Sequence, residues 1–334
     1  MRNTIALALL FASSLPAAHA QEASIRFLSR EQGRAALTEG AERSYFARLQ
    51  FGEMRAKSGL PLKDLTLQAA REQVRDAYGA AAEDFTADDQ AAVREAIETL
   101  QPILQARAPL YARTPWSFVK VSKTIEGGLP HTRGDSIVLS EAVLVAITRM
   151  HAQAKLDAPA RLWNLLVHEQ THVLQRRNPA LFATLYTGAF GFRQVVLEPA
   201  PEWLRIRRVV NPDAPDADWV FPIGAGAERH WVLPDILLEN LENPRMPQDF
   251  NIVALAVKQE AVHWRYVDQT QPAVLQELSG LDGYVRAFPE RQELFHPNEI
   301  CAVLLAEMIV GDDIRQPEHP LWAKTRAWAE RALR

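Results

Sequence analysis

Residues 159–177 read PARLWNLLVHEQTHVLQRR, and within them His168, Glu169, Gln170, Thr171 and His172 form an HExxH motif. Leu162, Leu165, Leu166 and Val173 recur with a period of about 3.6 residues. Asp157 with Pro159 reads as an N-cap and first turn, and Asn178 with Pro179 stops the pattern. The spacing predicts a helix with the motif near its middle. Residues four apart share a helix face, so both imidazoles can reach one cation while Glu169, one step round, points toward a water held beside it. The bland alternative for the same pattern is a solvated amphipathic helix carrying two surface histidines.

Around that helix the chain reads as α+β and mainly helical. Residues 29–107 are helical in pattern, with segments at 64–80 and 87–107; Thr86 is the expected N-cap of the latter, Val93, Ile97, Leu100 and Leu104 form its apolar face, and Pro102 is placed to kink its last turns. Trp116–Val121 alternates and is β-rich, Gly127, Gly128 and Pro130 break it, and Ser136–Leu139 resumes it before a helix from Ser140 to about Lys155. A helix over 181–194 follows the motif helix. Short β-like runs at 204–210, 219–223, 230–238 and 252–267, separated by Asn, Pro, Asp and Gly, predict an antiparallel sheet or insertion. Helical character returns at 281–288 and 299–310. The expected division is a signal peptide at 1–20, a helical N-terminal scaffold at 21–110, and a catalytic region at 111–334 with a β-rich insertion at about 203–267.

Composition narrows the function classes. Arg2, an apolar run over 4–16 and the Ala18-His19-Ala20 ending resemble a cleavable export signal, so the expectation is a periplasmic or secreted protein without an integral membrane segment in its mature form. A formal net charge of -4 gives no nucleic-acid footprint. Cys301 is the only cysteine, which excludes an internal disulfide framework and reads as a buried small hydrophobe rather than a nucleophile or a propeptide switch.

Two histidines leave a catalytic zinc ion one short of its usual three protein ligands. The extended metzincin pattern HExxHxxGxxH does not apply, because Gln175 stands where its Gly belongs and Asn178 where its last His belongs. The chain instead resembles the zincin metallopeptidases, and more specifically the gluzincin branch, in which a Glu from a later helix completes the site. Glu299, in His296-Pro297-Asn298-Glu299-Ile300, matches best: Pro297 suits a helix opening, and Ile300, Val303, Leu304 and Ile309 give that helix a buried side. The match departs from the familiar ExxxD pattern, since Val303 holds the Asp place, so support for the ligands must come from another group. Glu198 and Glu202 are the runners-up, flanked by Pro199 and Pro201.

The resemblance implies a zincin-like core with a small mixed sheet, a Zn²⁺ ion bound by His168, His172 and Glu299, and Glu169 as general base in hydrolysis of a peptide or protein substrate. Tyr284, Tyr266, His263 and His230 are candidates by type for the oxyanion donor, with Tyr284 preferred because a short amphipathic segment joins it to the ligand helix. Residues 131–135 form a candidate cleft rim, and an extended substrate is expected to pair with the strand at 136–139. The alternative from another class is a noncatalytic exported protein that binds zinc or a ligand; an acid between the two histidines argues against a purely structural site.

Overall fold

In a computed structural model of the chain, residues 23–153, 159–214, 218–267, 275–289, 295–311 and 317–334 are described. The expected signal segment at 1–20 and the N-cap at Asp157 lie outside them. The architecture is α+β. A small sheet runs in the order Ile25–Phe27, Trp116–Val121, Ser136–Ser140, His131–Arg133, with Ala82–Glu83 also paired to the second of these. The first three strands are parallel and His131–Arg133 is antiparallel to its neighbour.

This sheet is buried on both faces, and the side-chain period of two sorts its residues between two cores. Trp116, Phe118, Ile137 and Leu139 face the larger core, built around the motif helix. Val119, Val121 and Val138 face a second core made by the helices Arg30–Thr38, Glu42–Arg48, Phe51–Ser58 and Leu67–Ala80. The helix Ala87–Arg107 continues through Pro102 and contributes its apolar face to the larger core. The N-terminal region is therefore not a separate lobe: the boundary expected near residue 110 runs through a shared sheet and a shared core.

The motif helix spans Pro159–Arg177 and stops where Asn178 and Pro179 begin the next helix, Pro179–Gly188. Its most extensive helical partner is Pro297–Val310. That helix is apolar on every side, and such a helix belongs inside a core; Ile300 through Leu305 are all buried. Gly311, at φ 80°, closes it in a left-handed C-cap that a Cβ would disfavour. Among the described residues no helix is long and apolar enough to cross a membrane.

An antiparallel sheet forms in the region expected to be β-rich, with Trp219–Ile223, His230–Leu238, Phe250–Glu260 and His263–Tyr266 as its main strands and Arg193–Gln194 and Gln276–Glu277 paired onto it. Several expectations are corrected. The helix forecast over 181–194 ends at Gly188, where Gly191 at φ 82° turns the chain and Arg193–Gln194 joins the second sheet. The β-like run at 204–210 is instead a single helical turn, Glu202–Arg205, followed by one isolated bridge between Arg208 and Leu237. The 281–288 segment shortens to one turn, Asp282–Val285. Ser136–Ser140 is paired on both sides, so it offers no edge to a substrate; His131–Arg133 is the edge strand.

Candidate metal centre

The two dominant helices bring His168, His172 and Glu299 together. His168 and His172 sit one turn apart with Nε2 atoms 3.1 Å from each other. Glu299 Oε2 lies 3.5 Å from His168 Nε2 and 3.4 Å from His172 Nε2. Three donors bound to one tetrahedral zinc ion at 2.0–2.1 Å would stand about 3.3 Å apart. The edges of this triangle bracket that value, so the three atoms can accept one ion without moving more than a few tenths of an ångström. His172 is buried, whereas His168 keeps 21% of its side chain open to solvent and marks the accessible side.

The chain orients these donors with neutral amides. Gln175, three residues on and on the same helix face as His172, lies 2.9 Å through Oε1 from His172 Nδ1. Its Nε2 donates to the carbonyl of Asn298 at 3.0 Å. Because the amide nitrogen is committed to a carbonyl, Oε1 must accept from Nδ1–H, which leaves Nε2 of His172 facing Glu299 and His168. Asn211 donates through Nδ2 to Glu299 Oε1 at 2.6 Å, which leaves Oε2 for the histidines. These are the supports that the Val303 departure required. Gln175 had a sequence signal in its i,i+3 spacing from the second histidine; Asn211 had none, since it lies 88 residues from Glu299 along the chain.

Glu169 is buried, and its Oε2 has no hydrogen-bond partner among the described residues. A buried carboxylate oxygen without a donor is costly unless something binds there, so its position suits a water or a substrate proton. Burial, followed by the nearby charge of Asp213, pushes its carboxyl up to about 7. Burial disfavours a charged His172, but Glu299 and then Asp213 outweigh it and push the imidazole up to about 10. Burial likewise opposes ionisation of Glu299, and His172 outweighs it, holding the carboxyl well below the usual range. Three acids thus face two imidazoles in this cluster.

The rim is built from the edge strand and the segment Asn211–Ala214. Asp213 Oδ1 accepts from the Thr132 amide at 2.7 Å and from its hydroxyl at 2.6 Å. Arg176 donates to the Thr132 and Pro212 carbonyls. The 131–135 segment thus lies beside Asp213, with the Thr132 amide capped by the chain itself.

The other candidates fall elsewhere. Glu198 and Glu202 are exposed, and Glu202 pairs with Arg205. Tyr284 is buried among Phe192, Phe221 and Phe288, and its hydroxyl donates to the Phe295 carbonyl at 3.4 Å. That placement gives it a packing role at the entry to the Glu299 helix. Tyr266 is in the core of the second sheet, with its hydroxyl accepting from Arg208, and His230 and His263 are exposed on that sheet. Cys301 is buried, and burial pushes its thiol up, so it is no nucleophile.

Comparison of the chain with family models, curated proteins and solved structures gives no match.

Proposed function

We propose that this protein is a zinc-dependent hydrolase of the zincin type that cleaves peptide amides after export. The observation that carries the reading is the triangle of two imidazole nitrogens and one carboxylate oxygen, with edges of 3.1–3.5 Å, beside a buried acid with one unpartnered buried oxygen. Two nitrogens and one oxygen are a zinc donor set; calcium and magnesium take oxygen ligands. Zinc held there would supply Lewis acidity toward an acyl carbonyl and make water acidic enough to attack near neutral pH.

The chain's own residues carry the proton. Glu169 accepts it from the attacking water and delivers it to the leaving nitrogen, a task suited to a carboxyl whose burial moves it toward neutral pH. Gln175 fixes the tautomer of His172, and Asn211 fixes which oxygen of Glu299 faces the histidines.

The test is Glu169→Gln. Purified variant and parent should hold the same zinc, while turnover of a mixed peptide pool falls by about 10²- to 10⁴-fold. Undiminished turnover in the variant would refute the role. A noncatalytic zinc- or ligand-binding protein is the second reading, and the capped edge of His131–Arg133 favours it; chelator-sensitive peptide hydrolysis by the parent would exclude it.

A further inference from the structure

A cavity of about 570 Å³ lies between the N-terminal helices and the second sheet, and Asn211 and His296 form part of its wall. Asn211 donates to Glu299, and His296 caps the helix that carries Glu299, so the cavity adjoins the metal centre. Four arginines line it: Arg48, Arg71, Arg205 and Arg208. Its two acids, Asp218 and Asp235, are both engaged by Arg208, at 3.2 and 2.5 Å. Arg205 pairs outward with Glu202 and donates inward to Gln50 at 2.8 Å. Arg71 donates to the Leu49 carbonyl and has no acidic partner within ion-pair distance among the described residues. Its guanidinium is held below the usual arginine range, first by burial and then by the neighbouring charge of Arg205.

A guanidinium that lines a cavity without an acidic partner among the described residues leaves a position that an anion would fill. A planar guanidinium matches a carboxylate through paired N–H donors. We propose that this cavity is a subsite for a carboxylate of the substrate, with Arg71 as its principal ligand and Arg205 beside it. The word substrate rests on the hydrolase reading; the anion site does not. The carboxylate has two sources, an acidic side chain or a free C-terminus.

The probe is glutarate, titrated calorimetrically into the chelator-treated full chain so that no metal competes for it. The parent should bind glutarate and ignore neutral glutaramide, and Arg71→Gln should weaken binding at least tenfold, while Arg26→Gln, remote from the cavity, leaves it unchanged. Equal binding by Arg71→Gln overturns the site; if that variant fails to melt cooperatively, Arg205→Gln carries the same criterion. Zinc-loaded Glu169→Gln protein then receives acetylated peptides differing only in Glu against Gln, or in free against amidated C-terminus. Whichever pair differs by tenfold or more in affinity identifies the source, and a difference in neither overturns the assignment to substrate. Glutarate binding that survives while no peptide is turned over by the parent would sink the hydrolase reading and leave the anion site standing.

Discussion

Two buried clusters of charge lie a short distance apart in this molecule, and they are solved in opposite ways. In the first, Lys57 lies 3.0 Å from Glu53 and 3.4 Å from Glu126, and Arg133 lies 3.0 Å from Glu126 and 3.1 Å from Glu42. Each of these acids faces an ammonium or guanidinium, Tyr45 and Tyr78 donate to Glu126, and the Arg133 guanidinium stacks 3.7 Å above the Tyr45 ring. In the second, Glu169, Glu299 and Asp213 are served by two imidazoles and by neutral amides. In the first set every acid has an ammonium or guanidinium within ion-pair distance, although Glu53 Oε2 and Glu126 Oε2 lack a hydrogen bond among the described residues, and the set ties the N-terminal helices to the sheet. The second has no lysine or arginine within ion-pair distance among the described residues. A buried charge cluster whose acids all have bases is read as structure, and one whose lone pairs converge on a common point is read as a site.

The largest expected effect comes from breaking the first cluster. Arg133→Met leaves Glu126 and Glu42 short of a partner in a dry interior, and removing one member of a buried ion pair costs about 3–5 kcal/mol. Denaturant unfolding of the metal-free protein should show that loss, whereas Glu169→Gln, which replaces a buried carboxylate by a neutral amide, should unfold no more easily than the parent. A loss under 1 kcal/mol for Arg133→Met would mean that the two clusters do not differ in the way described.

Acid separates them next. Burial opposes the ionisation of Glu126, but Lys57 and Arg133 outweigh it and bring its carboxyl down from 4.5 to about 2. A carboxyl depressed in the folded state contributes stability that is complete above its unfolded value and is lost as the pH falls from about 4.5 to about 2. The shift corresponds to on the order of 3 kcal/mol. Glu53, which burial shifts upward against the pull of Lys57, titrates with the opposite sign and offsets part of this loss. The acid limb of stability against pH should therefore be flatter in Glu126→Gln than in the parent; identical limbs would remove Glu126 from the account.

Zinc is expected to act only on the second cluster. An ion that binds the folded chain and not the unfolded one stabilises it by about 2.7 kcal/mol at a hundred times its dissociation constant. Thermal unfolding should shift upward on adding zinc and back on chelation, and Glu299→Gln should lose most of the shift. A parent insensitive to zinc would leave the donor triangle without a ligand.

What the sequence discloses follows the range of the interactions involved. The motif helix and the Glu299 helix were legible because local period, caps and breakers carry them; His168, Glu169 and His172 stood out as a motif, whereas Glu299 came from the resemblance to the gluzincin pattern. The small sheet was legible as strands but not as an order of strands: nothing local says that Ser136–Ser140 is flanked on both sides and His131–Arg133 lies at the edge. Residues 204–210 alternate like a strand, yet tertiary packing bends them into a turn around the buried Leu204. Asn211 and Asp213 were hidden for the same reason, since their partners Glu299 and Thr132 lie more than eighty residues away along the chain. Tyr284 was favoured for closeness in sequence to the ligand helix, and the fold used that closeness for packing.

The smallest effect is also the most discriminating, because it concerns a residue that touches the centre only through another. Gln175 does not face the ion position; it holds His172 Nδ1 and is itself held by the Asn298 carbonyl, tying the two ligand-bearing helices together. Partners of this kind change metal affinity by about 10- to 100-fold when removed, which is about 1.4–2.7 kcal/mol. Gln175→Ala should lose that affinity in a competitive zinc titration. Gln175→Glu keeps an oxygen acceptor for Nδ1–H but gives up the donor to Asn298, so it separates the two contacts. If orientation of the imidazole is what matters, Gln175→Glu retains most of the zinc affinity that Gln175→Ala loses. If the tie between helices is what matters, both variants lose it alike, and the amide acts on the fold rather than on the ligand.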